Sequence, residues 1–180
     1  MPQQTARRIT GTTLGSKNYV ERPANTTAYA AYDAVSDVTS NDHFLFLRTL
    51  IGPQYSGKLK GVDVKVNANV AALQPDLDLW LFDTDIAETA DNSPMALSFT
   101  DVLKAVGIIP IPVSGWRVSN NGAGAAGSII QTVSVDIPFT LSSAEKAGTQ
   151  RLFGQLVMKN AYTPVASTRF HVTLLLEDDD

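Results

Sequence analysis

The sequence predicts an all-β, jelly-roll-like β-sandwich with one or two short helical turns and an extended N-terminal arm. Three observations point there: many short segments whose apolar residues fall on every second position, turn signals that include 12 Gly and 9 Pro, and only two brief helical patterns. At 180 residues the chain is most economically one domain with a sizeable core. No repeat at the spacing of a propeller or solenoid is present.

Residues 1–23 are polar and rich in Thr and Gly, and they carry Arg7, Arg8, Lys17 and Arg22 without a strong period. They read as a locally basic arm, either a disordered terminus or a segment that orders on an acidic neighbour, so that deleting it should leave a folded β domain. The domain proper is expected over residues 24–176, followed by an acidic tail over 177–180. In "TAYAAYDAVSD", Tyr29, Ala31 and Val35 alternate, which favours a strand over a helix. "DHFLFLRTLI" is an apolar run ended by Gly52-Pro53, as expected of a strand buried on both faces.

"LKGVDVKVNANV" alternates, with Val62, Val64, Val66, Ala68 and Val70 on one face and Asp63, Lys65, Asn67 and Asn69 on the other. After a Gln74-Pro75-Asp76 turn, "LDLWLF" sets Leu77, Leu79 and Leu81 against Asp78, Trp80 and Phe82. Further strands are predicted over 107–111, around Trp116, and over 129–139, 152–158 and 168–176. The last of these turns Phe170, Val172, Leu174 and Leu176 inward.

Helix is scarce. "SFTDVLKAVG" has Ser98 as N-cap, Asp101 three residues later and Gly107 as a stop, which predicts about two turns. "SSAEKAG" repeats the device with Ser142, Glu145 and Gly148.

Composition excludes several function classes. There is no cysteine, hence no disulfide framework, thiolate nucleophile or cysteine metal site. With 14 Lys+Arg against 18 Asp+Glu, the net charge of −4 exerts no global pull toward nucleic acid or an anionic membrane. No apolar run resembles a signal peptide or approaches the length of a membrane helix, so synthesis in a cytoplasm is expected.

The motifs that could carry chemistry have simpler explanations. Gly122-Ala123-Gly124-Ala125-Ala126-Gly127 matches G-x-G-x-x-G, but the residues after Ser128 have a strand period instead of the helix that must receive a pyrophosphate. The glycines read as a loop. Asp83, Asp85, Glu88 and Asp91 resemble a hard-cation loop, yet Glu88 stands where an EF-hand needs glycine and Pro94 where it needs the bidentate glutamate. A loop whose Asp and Asn side chains bond to backbone accounts for them.

Ser143 and Lys146 form S-x-x-K without S-D-N or K-T-G. His43 and His171, the two histidines, lie in strand-like runs and read as partly buried side chains with one hydrogen bond each. Asn25-Thr26-Thr27 is a sequon that means little without a secretion signal. No nucleophile and base pair is recognisable, so neither enzymatic activity nor a cofactor is expected. Trp80 sits among leucines and reads as core. Trp116, between Gly115 and Arg117, suits either the core or an exposed interface anchor, where Trp and Arg commonly pair.

"ANTTAYAAYDAVSD" followed by "LDLWLFDTDIAETADNSPMALSFTDVLKAVGIIPI" resembles virion proteins of tailed bacteriophages, among them the head decoration, or cement, proteins. The resemblance covers roughly residues 24–112: a Tyr-Asp strand, an L-x-L-x-L-F strand, Asp91-Asn92 turning toward a short helix, then Gly107 and a strand. The chain departs from the pattern at Ile86, near which such sequences carry proline. The resemblance implies a jelly-roll protein on the outer surface of the virion, bound to the phage major capsid protein across subunit junctions as a homo-oligomer, usually a dimer or trimer. It carries over no catalytic residue. Arg7, Arg8, Lys17, Arg22, Trp116 and Arg117 are the resulting candidates for capsid or oligomer contact, with a carbohydrate-binding module or a tail or head-tail joining component as the alternatives.

Overall fold

The computed structural model describes residues 6–13, 17–47, 56–67, 74–119, 128–140 and 151–178. The strands are β1 (Ala6–Thr10), β2 (Val20–Glu21), β3 (Ala34–Val35), β4 (Phe44–Leu47), β5 (Ser56–Val66), β6 (Leu77–Phe82), β7 (Ala105–Ile111), β8 (Arg117–Ser119), β9 (Ser128–Thr140), β10 (Arg151–Met158) and β11 (Arg169–Asp178). One helical turn, α1 (Phe99–Val102), and one 3₁₀ turn, Val113–Gly115, complete the described elements. Among the described residues, no helix is long and apolar enough to cross a membrane.

Every pairing between these strands is antiparallel. The first sheet runs β1-β11-β5-β9-β8 with β2 also on β11, and the second runs β3-β10-β6-β7 with β4 also on β10. Among the eight principal strands, the first pairs the last (β1 with β11), the second the seventh (β4 with β10), the third the sixth (β5 with β9) and the fourth the fifth (β6 with β7). Successive pairs alternate between the two sheets. A single long hairpin rolled upon itself has this order, and it is the double Greek key of a jelly roll.

The core forms where the strand period turns apolar residues inward from both sheets. Leu77, Leu79 and Leu81 of β6 meet Val62, Val64 and Val66 of β5 and Phe170, Val172, Leu174 and Leu176 of β11, all buried in one cluster. Phe44 and Leu45 of β4 are both buried, so that strand is covered on its two faces, as its sequence predicts. In β9 the inward row of Ile129 and Val133 is interrupted by Gln131, which is buried all the same.

Several boundaries differ from expectation. Of residues 1–23, expected as an extended arm, the described ones contribute two strands to the first sheet: five residues of β1 pair with β11, from Ala6 opposite Glu177 to Thr10 opposite Thr173, and β2 pairs Arg169 and Phe170. The edge of the first sheet offers them backbone partners, which their own weak period could not announce. Likewise Glu177 and Asp178, expected in the tail, belong to β11. The strand expected around Tyr29 is broken by Tyr32 at φ 71°, so only Ala34–Val35 pairs in β3, while Tyr29 makes an isolated bridge to Tyr162.

The helix after Ser98 is one turn instead of two. Ser98 caps it as predicted, its Oγ accepting from the Asp101 N–H at 3.1 Å, but β7 already begins at Ala105. Pairing with β6 outweighs two further helical residues. The glycine-rich loop at 122–127 and the Ser142 to Gly148 motifs lie outside the described residues.

Candidate functional site

The six candidate contact residues are dispersed. Arg22 is 1% exposed. Its guanidinium donates to the Thr27 carbonyl at 3.0 Å and to Asn25 Oδ1 at 3.2 Å, and it lies 4.9 Å from the centre of the Tyr29 ring. The asparagine of the sequon is thus a structural acceptor. Lys17 bridges the buried Asp37 at 3.1 Å. Trp116 is 4% exposed and donates from its indole Nε1 to the Pro75 carbonyl at 2.7 Å. Its burial removes it as an exposed anchor.

Arg8 pairs with Asp63 on the outer face of the first sheet, Arg7 is half-buried, and Arg117 is exposed on β8 at the far edge of the same sheet. The two exposed arginines therefore stand on opposite borders of one face. They do not converge.

Nor do the carboxylates of the 83–91 loop. Asp91 Oδ1 accepts from the Tyr29 hydroxyl at 2.6 Å and from the Ser36 N–H at 3.2 Å, which ties the loop to the start of the domain. Burial still holds the Asp91 carboxyl above its usual range and pushes the Tyr29 phenol upward. Asp85 lies 3.1 Å from His43 Nε2. Among the described residues no group of three or more His, Cys, Asp or Glu is placed to hold a metal ion. His43 is buried, its ring tilted against Phe153, and burial lowers its pKa despite the neighbouring Asp85, Asp42 and Glu88.

The two outer faces of the sandwich differ in chemistry. On the first sheet, Arg8 and Thr132 both bond Asp63, and Lys60 pairs with Asp136 at 2.7 Å. This face is polar, although Leu175 is partly exposed. On the second sheet the alternation that points Leu77, Leu79 and Leu81 into the core points Asp78, Trp80 and Phe82 outward. Part of that outer row is roofed by the segment after β6. Ile86, Leu45, Phe82 and Phe153 make a small second core, with Trp80, Met95 and Leu97 packed against it. Ile86 is thus a buried packing residue.

The roof stops short of the sheet's far side and leaves a groove. Tyr32, Trp80, Met95, Leu97, Val102 and Val157 line it together with the carboxylate of Asp78. Beside it, Phe99 and Leu103 are 78% and 69% exposed, and Tyr32 is 71% exposed. Phe99, Val102 and Leu103 stand at i, i+3 and i+4, so the capped turn carries them on one side. Ile108, opposite Trp80 in the β6·β7 ladder, extends the apolar surface toward the edge strand. Exposed apolar side chains gathered in this way mark interaction surfaces, whereas scattered ones need no explanation.

Sequence reasoning missed this surface, because it expected Trp80 inside and gave α1 no role beyond its cap. The signal present was the Phe99, Val102, Leu103 spacing. What it lacked was the knowledge that no described strand covers that side.

No family profile and no curated protein matches the chain. Among solved structures, the structure of Triatoma virus aligns over 97% of this chain with 14% identity and a TM-score of 0.26. The alignment spans 62% of that viral chain. The jelly-roll assignment stands on the strand pairing itself.

Proposed function

We propose that this chain is a structural virion protein that binds the outside of a tailed-phage capsid across subunit junctions and stabilises the expanded shell. The observation that carries the reading is the apolar outer face of the second sheet, where Tyr32, Phe99 and Leu103 stand largely in water. Such a surface is suited to burial against another protein. The sequence resemblance over residues 24–112 supplies the partner, the major capsid protein, and a dimeric or trimeric state. Stabilisation follows from linkage: a ligand that binds the assembled lattice but not its dissociated subunits adds RT ln(1 + [L]/Kd) per independent site.

The test is to mix the purified protein with expanded shells that lack it, pellet them and image them by cryo-electron microscopy. Regular density at subunit junctions and a higher shell-disruption temperature are expected. In the variant Phe99→Ser/Leu103→Ser, binding should weaken by about a hundredfold, two apolar anchors each contributing on the order of 1.4 kcal/mol. Failure of the wild-type protein to pellet with intact shells would overturn the reading.

A further inference from the structure

We propose that the groove on the outer face of the second sheet receives an arginine or lysine side chain, presented between apolar residues on an extended segment of the capsid subunit. The inference deepens the docking role above by naming the chemistry of the partner, and it rests on that role for the source of the segment.

The walls and the charge select this occupant. Trp80 and Tyr32 supply aromatic rings, to whose faces a cation is attracted. Met95, Leu97, Val102 and Val157 supply apolar surface for the stem of a long side chain. Among the described residues of the lining, Asp78 supplies the one carboxylate, and its charge disfavours an acidic occupant. Asp76 lies close by, with Oδ1 buried and without a hydrogen bond. Lys159 stands 4.0 Å from Asp76 and 3.9 Å from Asp78, too far for a direct hydrogen bond to either. One ammonium thus faces two carboxylates, and a second cation would balance the site.

The groove is open to solvent and holds about 290 Å³, at the lower end of the range of roughly 300–1,000 Å³ typical of small-molecule sites, and room enough for a single long side chain. Exposed Phe99 and Leu103 extend the apolar surface beyond the groove, where the residues flanking the basic one would lie. The backbone gives independent support. Tyr32 adopts φ 71°, a conformation unfavourable for a bulky L-residue, and it is held there by its N–H to the Met158 carbonyl at 2.7 Å and by the Met95 N–H to its own carbonyl at 2.9 Å. Those bonds fix the backbone from which the exposed Tyr32 ring projects at the groove.

The edge of β7 is a poorer docking element. Pro110 lies opposite Asp78 and has no N–H, which interrupts the row of donors that a further strand would need. The face is therefore the docking surface of this sheet.

The experiment uses the full chain labelled with ¹⁵N. Its two tryptophans give two indole N–H signals, Trp80 in the groove and Trp116 in the core as an internal control. Titration with acetyl-Leu-Arg-Leu-amide should move the Trp80 signal saturably and leave Trp116 still. Acetyl-Leu-Gln-Leu-amide, and the Arg peptide on Asp78→Asn, should each bind about tenfold more weakly. Val102→Arg, a change at an exposed position, should occlude the groove and abolish the shift.

Equal binding of the Gln peptide, no saturable shift, or a Trp80 response to maltotriose in place of the Arg peptide would overturn the proposal. Pelleting with shells separates it from the docking reading. If wild type and Asp78→Asn bind shells equally, the groove proposal fails while docking stands. If shells bind neither protein but the Arg peptide is held, docking to shells fails and the groove's chemistry stands.

Discussion

Replacing Trp116 by phenylalanine tests which of the two roles open to it in the sequence, core or interface anchor, the residue fills. The indole is 4% exposed and its Nε1 donates at 2.7 Å to the carbonyl of Pro75, the residue that turns the chain into β6. Phenylalanine cannot donate, so the Pro75 carbonyl loses a buried partner, at a cost of about 1–3 kcal/mol. The smaller ring also removes two carbon atoms from the core, about 1.5 kcal/mol at ~0.8 kcal/mol per buried carbon, before any cavity cost. The sum is about 3 kcal/mol, which for a chain of this size lowers Tm by roughly 6–12 °C.

The assay is thermal and urea unfolding followed by circular dichroism, with Trp80→Phe as the comparison. Trp80 lines an open groove, so its replacement should cost no more than about 1 kcal/mol. If Trp116→Phe loses less than about 0.5 kcal/mol and instead weakens shell binding, Trp116 is a surface anchor and the reasoning fails.

Three further outcomes are expected. His43 is buried with Nδ1 unpartnered, and its pKa lies below the ordinary 6.5, so the unfolded chain binds the proton more readily. The His43 contribution is therefore fully present above about pH 6.5 and is lost as pH falls from there to the lowered folded value. Urea titrations across that range should show the slope, and His43→Gln should reduce it to what His171, shifted in the same direction by burial, still contributes. An unchanged slope would remove His43 as its source.

Gly154→Ala should destabilise by about 1–3 kcal/mol through overpacking. An added Cβ would lie 2.7 Å from Phe46 Cε2 and 3.3 Å from methyl carbons of Leu79 and Leu81, and a neutral Tm would show that the core gives way there. Deleting residues 1–23 should abolish cooperative unfolding, because it strips β1 and β2 from β11 and removes the buried Arg22. A truncated chain that unfolds cooperatively and loses only shell binding would restore the arm.

Much of the fold was legible because alternation is a local property. A strand's period of two assigns its faces without reference to any partner, and Leu77, Leu79 and Leu81, or Phe170 through Leu176, needed nothing else to be placed inside. The cap at Ser98 was legible for the same reason, its partner lying three residues away. The candidate site was not legible. Trp80, expected in the core, lines the groove, and Trp116, for which core and interface stood open, is buried, since which tryptophan is covered depends on how far the segment after β6 roofs the second sheet and on a carbonyl at Pro75.

The amino-acid sequence alone determined the β class, the inward rows of the long strands and the absence of any thiol chemistry, all of which depend on composition or on neighbours along the chain. Only the tertiary structure decided that residues 6–10 add a strand to the first sheet, that Arg22 is buried, and that one outer face is polar and the other apolar. Those outcomes depend on pairing between distant segments, Ala6 with Glu177 being the extreme case, and a strand's own alternation does not say which distant segment it will pair with.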